Sequence, residues 1–144
     1  MDALDAHFAA AFRVLASHNP RGVVDSRDGV EVTAAGAGGA PFNPAWVVGA
    51  PSSPSETVAW ACDVLRATGR PFCVHVPEPY AADLAPVLDA AGLRSSATTP
   101  GMVRAARDEE PALPEGLRLV EVRDPAELEA FAVGMALGFG SPPW

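Results

Sequence analysis

Apolar positions in the first stretch of the chain fall at Leu4, Phe8, Ala11, Phe12 and Leu15. That spacing predicts one face of a helix of about fifteen residues, which Asn19-Pro20 then stops. Val23-Val24 and Val30 to Thr33 are short strand candidates on either side of Arg27-Asp28-Gly29, a hairpin signal. A Gly/Ala loop spans Ala34 to Ala40, and Phe42 to Val48 reads as a strand with Pro44 at its edge or beginning. Ser53-Pro54-Ser55-Glu56 has the form of a capping box, with proline where a missing N–H costs nothing. The helix it opens carries Val58, Ala61, Cys62 and Leu65 on one face, widened by Trp60 and Val64, and is expected to stop at Gly69.

Phe72 to Val76 is a short apolar strand closed by Pro77 and Pro79. Leu84, Val87, Leu88 and Ala91 then predict a helix ending at Gly92. Pro86 favours a start near Asp83, because a proline in the first turn sacrifices no hydrogen bond, and this leaves Tyr80 in a loop. Leu93 to Ala106 reads as a strand pair or one bent strand broken at Pro100-Gly101, and Asp108 to Gly116 as a linker. Beyond it, Leu117 to Val122 is strand-like. Asp124-Pro125-Ala126-Glu127 supplies a cap, a proline and a glutamate ahead of a helix carrying Leu128, Phe131, Ala132 and Met135. The predicted fold is α/β, with a mixed, partly antiparallel central sheet flanked by helices.

Composition narrows the function classes. The 144 residues suffice for one domain with a real core, and 49% hydrophobic with 19% charged residues describes a folded chain rather than a disordered one. Ten arginines accompany no lysine, isoleucine or glutamine, a bias that suits a GC-rich coding sequence and weakens propensity arguments. A net charge of −8 with scattered arginines argues against a nucleic-acid partner, since phosphate binding needs clustered cations. Cys62 and Cys73 form no CxxC pair, and Asp2 and Asp5 are wrong for a secretory leader. The expectation is a cytoplasmic protein with reduced core thiols, no metal centre and no membrane span.

Phe42-Asn43 entering a strand, "LDAAGL" over 88–93, Pro100-Gly101-Met102, Leu113 to Leu117, "EVRDPAELEAF" over 121–131 and Gly138-Phe139-Gly140 carry a resemblance. Together they resemble the amino-terminal part of tandem-lobed members of the GNAT superfamily, acetyl-CoA-dependent N-acetyltransferases. The resemblance implies a degenerate GNAT-like lobe over 1–107, a linker over 108–116, and over 117–144 the first strand and helix of an incomplete second lobe. The catalytic lobe would be a missing partner beyond Trp144, and acetyl-CoA the cofactor of the full-length protein but not of this chain. Apolar side chains left uncovered over 117–144 predict a homodimer through that region.

That family holds the cofactor pyrophosphate on backbone N–H groups at a helix N-terminus, where unpaired donors and the helix dipole attract anions. The equivalent place here is Gly49 to Pro54, which lacks the leading Arg or Gln and the glycine spacing and carries two prolines. Ser52, Ser53 and Ser55 are the weak phosphate candidates there, with plain capping the blander reading. Gly36 to Gly39 leads into a strand rather than a helix and reads as a flexible loop. For acid–base work the candidates are Tyr80 and His75, each weighed against a packing role, while His7 and His18 read as solvated. Trp46, His75 and Tyr80 are expected to line a cleft if the chain is instead a self-sufficient small acyl-CoA-binding protein or acyltransferase. An unrelated α/β interaction domain is the third reading.

Overall fold

A computed structural model of the chain describes residues 3–36, 38–100 and 112–138, with side chains described from residue 6 onward. It divides into two compact units, Met1–Val103 and Arg104–Trp144.

The first unit runs α1 (Ala3–His18), β1 (Val23–Arg27), β2 (Val30–Ala34), a short 3-10 turn (Ala40–Phe42), β3 (Pro44–Val47), α2 (Pro54–Ala67), β4 (Cys73–His75) and α3 (Glu78–Ala90). The hairpin forms where the sequence places it. Arg27 pairs with Val30 around two residues of positive φ, Asp28 at 45° and Gly29 at 76°, the mirror-image turn whose twist matches two antiparallel strands. A side chain at position 29 would meet the Gly49 carbonyl at 2.7 Å. The glycine therefore lets the turn press against the end of β3, where the N–H groups of Val48 and Gly49 donate to the Gly29 carbonyl at 2.8 and 3.0 Å.

The four strands form one open mixed sheet in the order β1-β2-β3-β4, antiparallel except for the parallel pair β3/β4 that α2 connects. Alternation along the strands sorts the side chains. Val30, Val32 and Ala34 of β2 and Ala45 and Val47 of β3 pack with Ala61 and Leu65 of α2 and Leu84 of α3, joined by Phe72, Val74, Val76 and Leu88. On the opposite face Glu31, Trp46 and His75 are register partners across β2, β3 and β4, and α1 lies against this face through Phe8, Phe12 and Arg13.

Several expectations need correction. In α1 the buried positions are Ala9 and Ala16, whereas Phe8 and Leu15 stay about half exposed. Alanines let the helix approach a sheet face that already carries a large ring at Trp46. Ser53 caps α2 with its carbonyl, which accepts the Thr57 N–H at 2.9 Å, and makes no side-chain cap bond, so the capping box does not form; Glu56 pairs instead with Arg27 at 3.8 Å. Helix α3 starts at Glu78, not near Asp83, because Pro79 serves the first turn. Tyr80 is therefore helical rather than in a loop. Pro86 then lies inside the helix, at a local cost of about 3 kcal/mol offset by the burial of Leu84 and the packing of Tyr80 and Leu88. Residues 93–100 contain no strand, and the rest of the expected 93–106 pair lies outside the described residues.

In the second unit Leu117 to Val122 forms no strand, since no strand among the described residues takes its N–H and C=O groups. The helix beyond it, α4 (Pro125–Gly138), begins as the sequence predicts: the Asp124 carboxylate accepts the N–H groups of Ala126 and Glu127, both at 2.9 Å, while Glu127 reaches back to the N–H of Arg123 at 2.8 Å. Leu117, Leu119, Leu128, Phe131 and Leu137 are more than half exposed. No helix among the described residues is long and apolar enough to cross a membrane.

Candidate functional site

Two places on the first unit collect chemistry. One is the loop from β3 into α2, where the phosphate candidates Ser52, Ser53 and Ser55 lie. Pro51 and Pro54 bring no N–H, so the loop's available donors are few. Those of Ser52 and Ser53 are already engaged. The carboxylate of Asp28, at the tip of the β1/β2 hairpin, accepts the N–H and hydroxyl of Ser52 on one oxygen, each at 3.0 Å. Its other oxygen accepts the Ser53 N–H at 3.0 Å and the Thr57 hydroxyl at 2.9 Å. An anion thus sits at the N-terminus of α2, as the dipole and unpaired donors there demand, but the protein itself supplies it. The Ser52 and Ser53 N–H groups, then the Thr57 and Ser52 hydroxyls, lower the Asp28 pKa from 3.8 to about 2. Ser55 is exposed and takes no part.

The second place is the α1-facing side of the sheet. The Trp46 indole stacks on the His75 ring with centroids 4.2 Å apart and planes 11° from parallel, and Phe12 and Phe8 extend the cluster at 5.3 and 6.4 Å from Trp46. The Trp46 N–H donates to the Thr33 hydroxyl at 3.0 Å. Beside the stack, Cys73 Sγ lies 3.5 Å from His75 Nε2 and 3.4 Å from the Ala40 carbonyl. Glu31, next in register, is held by Arg13 through two contacts, Nε to Oε1 at 2.8 Å and the second nitrogen to Oε2 at 2.6 Å.

Burial pushes the Cys73 thiol up and the His75 imidazolium down. Both shifts favour the neutral thiol and neutral imidazole. A cysteine nucleophile needs the opposite, a thiolate stabilised by a neighbouring cation, so this pair is poised as packing rather than as an activated dyad.

Of the three expected cleft residues, the fold brings Trp46 and His75 into contact and takes Tyr80 away from them. Tyr80, in the first turn of α3, packs against the aliphatic cluster on the other face of the sheet. Trp46 and His75 lie face to face beneath α1, so they do not line a shared cleft with Tyr80. Among the described residues, no three His, Cys, Asp or Glu side chains gather in a metal-holding arrangement.

Sequence reasoning missed Asp28, which it used only as a turn residue. Nothing local signals its role, because its partners lie 24 to 29 positions away. The Cys73–His75 contact was open to discovery: an i, i+2 pair on a strand shares a face.

No family model, curated protein or solved structure matches this chain.

Proposed function

We propose that the chain is the amino-terminal, non-catalytic lobe of an acetyl-CoA-dependent N-acetyltransferase, in which a following lobe binds acetyl-CoA and transfers the acetyl group to an amine. The observation that carries this reading is the Asp28 carboxylate on the N–H groups of Ser52 and Ser53. In the acetyltransferases that the sequence resembles, a strand–loop–helix junction of this kind receives the cofactor pyrophosphate. Here the Ser52 and Ser53 donors hold an internal carboxylate, and its negative charge repels a second anion.

The proton-transfer candidates point the same way. Strand β3 offers no carboxylate, Glu31 is clasped by Arg13, Tyr80 is packed among aliphatic side chains, and the His75 ring is stacked against Trp46. A general base must be free to reach the reacting amine, and each of these side chains is already engaged in packing or pairing. The lobe therefore serves as support or wall for its catalytic neighbour. The exposed apolar side chains of Leu117 to Gly138 are covered in this reading by a second copy of the chain, and the assembly works in the cytoplasm.

Expression of the entire reading frame that contains these 144 residues tests the proposal. Amine-dependent release of the CoA thiol is expected from the whole protein and not from this chain alone. Turnover by this chain alone, or a reading frame with no acetyl-CoA-binding lobe after Trp144, would contradict it.

A further inference from the structure

An open groove of roughly 630 Å³ lies on the first unit, between the end of α1, the edge strand β1 and the C-terminal turn of α2. Its apolar wall is Val23, Val64 and Ala67, and two arginines, Arg21 and Arg70, line it as well. The volume falls within the range of small-molecule sites, and the lining is mostly apolar with a few polar side chains.

Half of the eight described arginines are ion-paired, and Arg21 and Arg70, like Arg94 and Arg118, are not. In this acidic chain Arg13, Arg27, Arg66 and Arg123 are each paired with a carboxylate. Arg21 and Arg70 make no ion pair among the described residues, and no Asp or Glu lines the groove. Carbonyls at the end of α2, which also borders the groove, are themselves capped. The Leu65 carbonyl accepts both the N–H and the hydroxyl of Thr68, at 3.1 and 2.7 Å, and the Arg66 carbonyl accepts the Gly69 N–H at 3.0 Å.

The groove is also held in shape. The buried Asn43 side chain accepts the Gly36 N–H at 3.0 Å and donates to the carbonyls of Gly39 at 3.1 Å and Pro71 at 3.0 Å. One amide therefore ties the loop bearing Gly36 to the residue that follows Arg70. Gly36, at φ 74°, comes so close to Arg21 that a side chain there would meet the Arg21 carbonyl at 2.9 Å. Both arginine-bearing segments are fixed before any ligand arrives.

We propose that this groove binds a small amphiphilic anion, its oxyanion head on Arg21 and Arg70 and its short aliphatic body along Val23, Val64 and Ala67. The inference does not rest on the acetyltransferase reading, since the groove is built from other residues than the β3–α2 loop. A guanidinium recognises a carboxylate and a phosphate through the same fork of donors, so the head group is left to experiment.

The test is an NMR titration of the isotope-labelled full chain with octanoate, octyl phosphate, inorganic phosphate and octylamine, each to about 10 mM, a Kd range that a small groove reaches easily. Saturable shifts at the Gly22, Gly36 and Thr68 amides and the Val64 methyls are expected with octanoate or octyl phosphate, and the tighter of the two names the head group. The double variant Arg21→Gln/Arg70→Gln weakens binding about tenfold or more, and Ala67→Glu, a surface change compatible with the helix, does the same. Arg94→Gln/Arg118→Gln, which removes equal charge elsewhere, leaves it unchanged. Four results would each overturn the proposal: no saturable shift, an equal response to octylamine, inorganic phosphate binding as tightly as the octyl anions, or unaltered affinity in the groove variants.

Discussion

Asp28 and Ser52 are 24 positions apart, yet one carboxylate oxygen of the first accepts both the N–H and the hydroxyl of the second at 3.0 Å. This contact joins the tip of a hairpin to the start of a helix, and through Ser53 and Thr57 it sets a carboxylate at the N-terminus of α2.

Asp28→Asn keeps the shape of this latch and removes its charge. The variant is expected to unfold at lower denaturant than the parent at neutral pH. The pH dependence follows from the lowered pKa: the carboxylate stabilises the fold fully above its ordinary value of 3.8, and this contribution is lost as pH falls toward about 2. Denaturant midpoints measured across that window should converge for parent and variant at the acid end. A constant gap between them would mean that the charge does not hold the latch.

His75 carries a second pH signature, of the other sign. Its folded pKa lies below the ordinary 6.5 because burial disfavours the imidazolium. The neutral ring is favoured in the fold, so its stabilising contribution is complete above pH 6.5 and declines as pH drops below that value. NMR titration of the His75 ring checks this directly. A midpoint above the ordinary 6.5 would show that the ring is not enclosed by Trp46 and its neighbours.

The strands, the hairpin and the two strand–helix units were legible because each rests on a local signal. Asp28-Gly29 needs only a tight turn, Pro54 a helix start, and alternation over β2 and β3 a sheet with two faces. What escaped was non-local or was settled by competition. In place of the serine-led capping box, a distant carboxylate binds the Ser53 N–H together with that of Ser52. Pro79 and Pro86 competed for the first turn of α3, and the packing of Tyr80 decided for Pro79. In α1 the large apolar residues suggested the buried face, but a sheet face carrying Trp46 admits alanines. Leu117 to Val122 has strand-forming side chains and no partner, and a lone strand satisfies none of its backbone. For the candidate site, residue types were readable and their grouping was not: Tyr80 is parted from His75 by the sheet itself.

The apolar second unit makes a prediction about assembly. Helix α4 is apolar along most of its length beyond its first turn, and Leu128 and Phe131 are both more than half exposed. Burying each such side chain is worth about 1.5–3 kcal/mol, enough in sum to drive association. Sedimentation of the full chain is expected to give a dimer, and of a chain ending at Gly116 a monomer. A monomer in both cases would remove the self-association reading.

We propose that the protein's own carboxylate closes the β3–α2 junction to acetyl-CoA. Calorimetric titration of the full chain with acetyl-CoA measures this most directly. No stoichiometric binding is expected at concentrations up to about 1 mM. A saturable, one-to-one isotherm in the low micromolar range, about 8 kcal/mol of binding free energy, would contradict it.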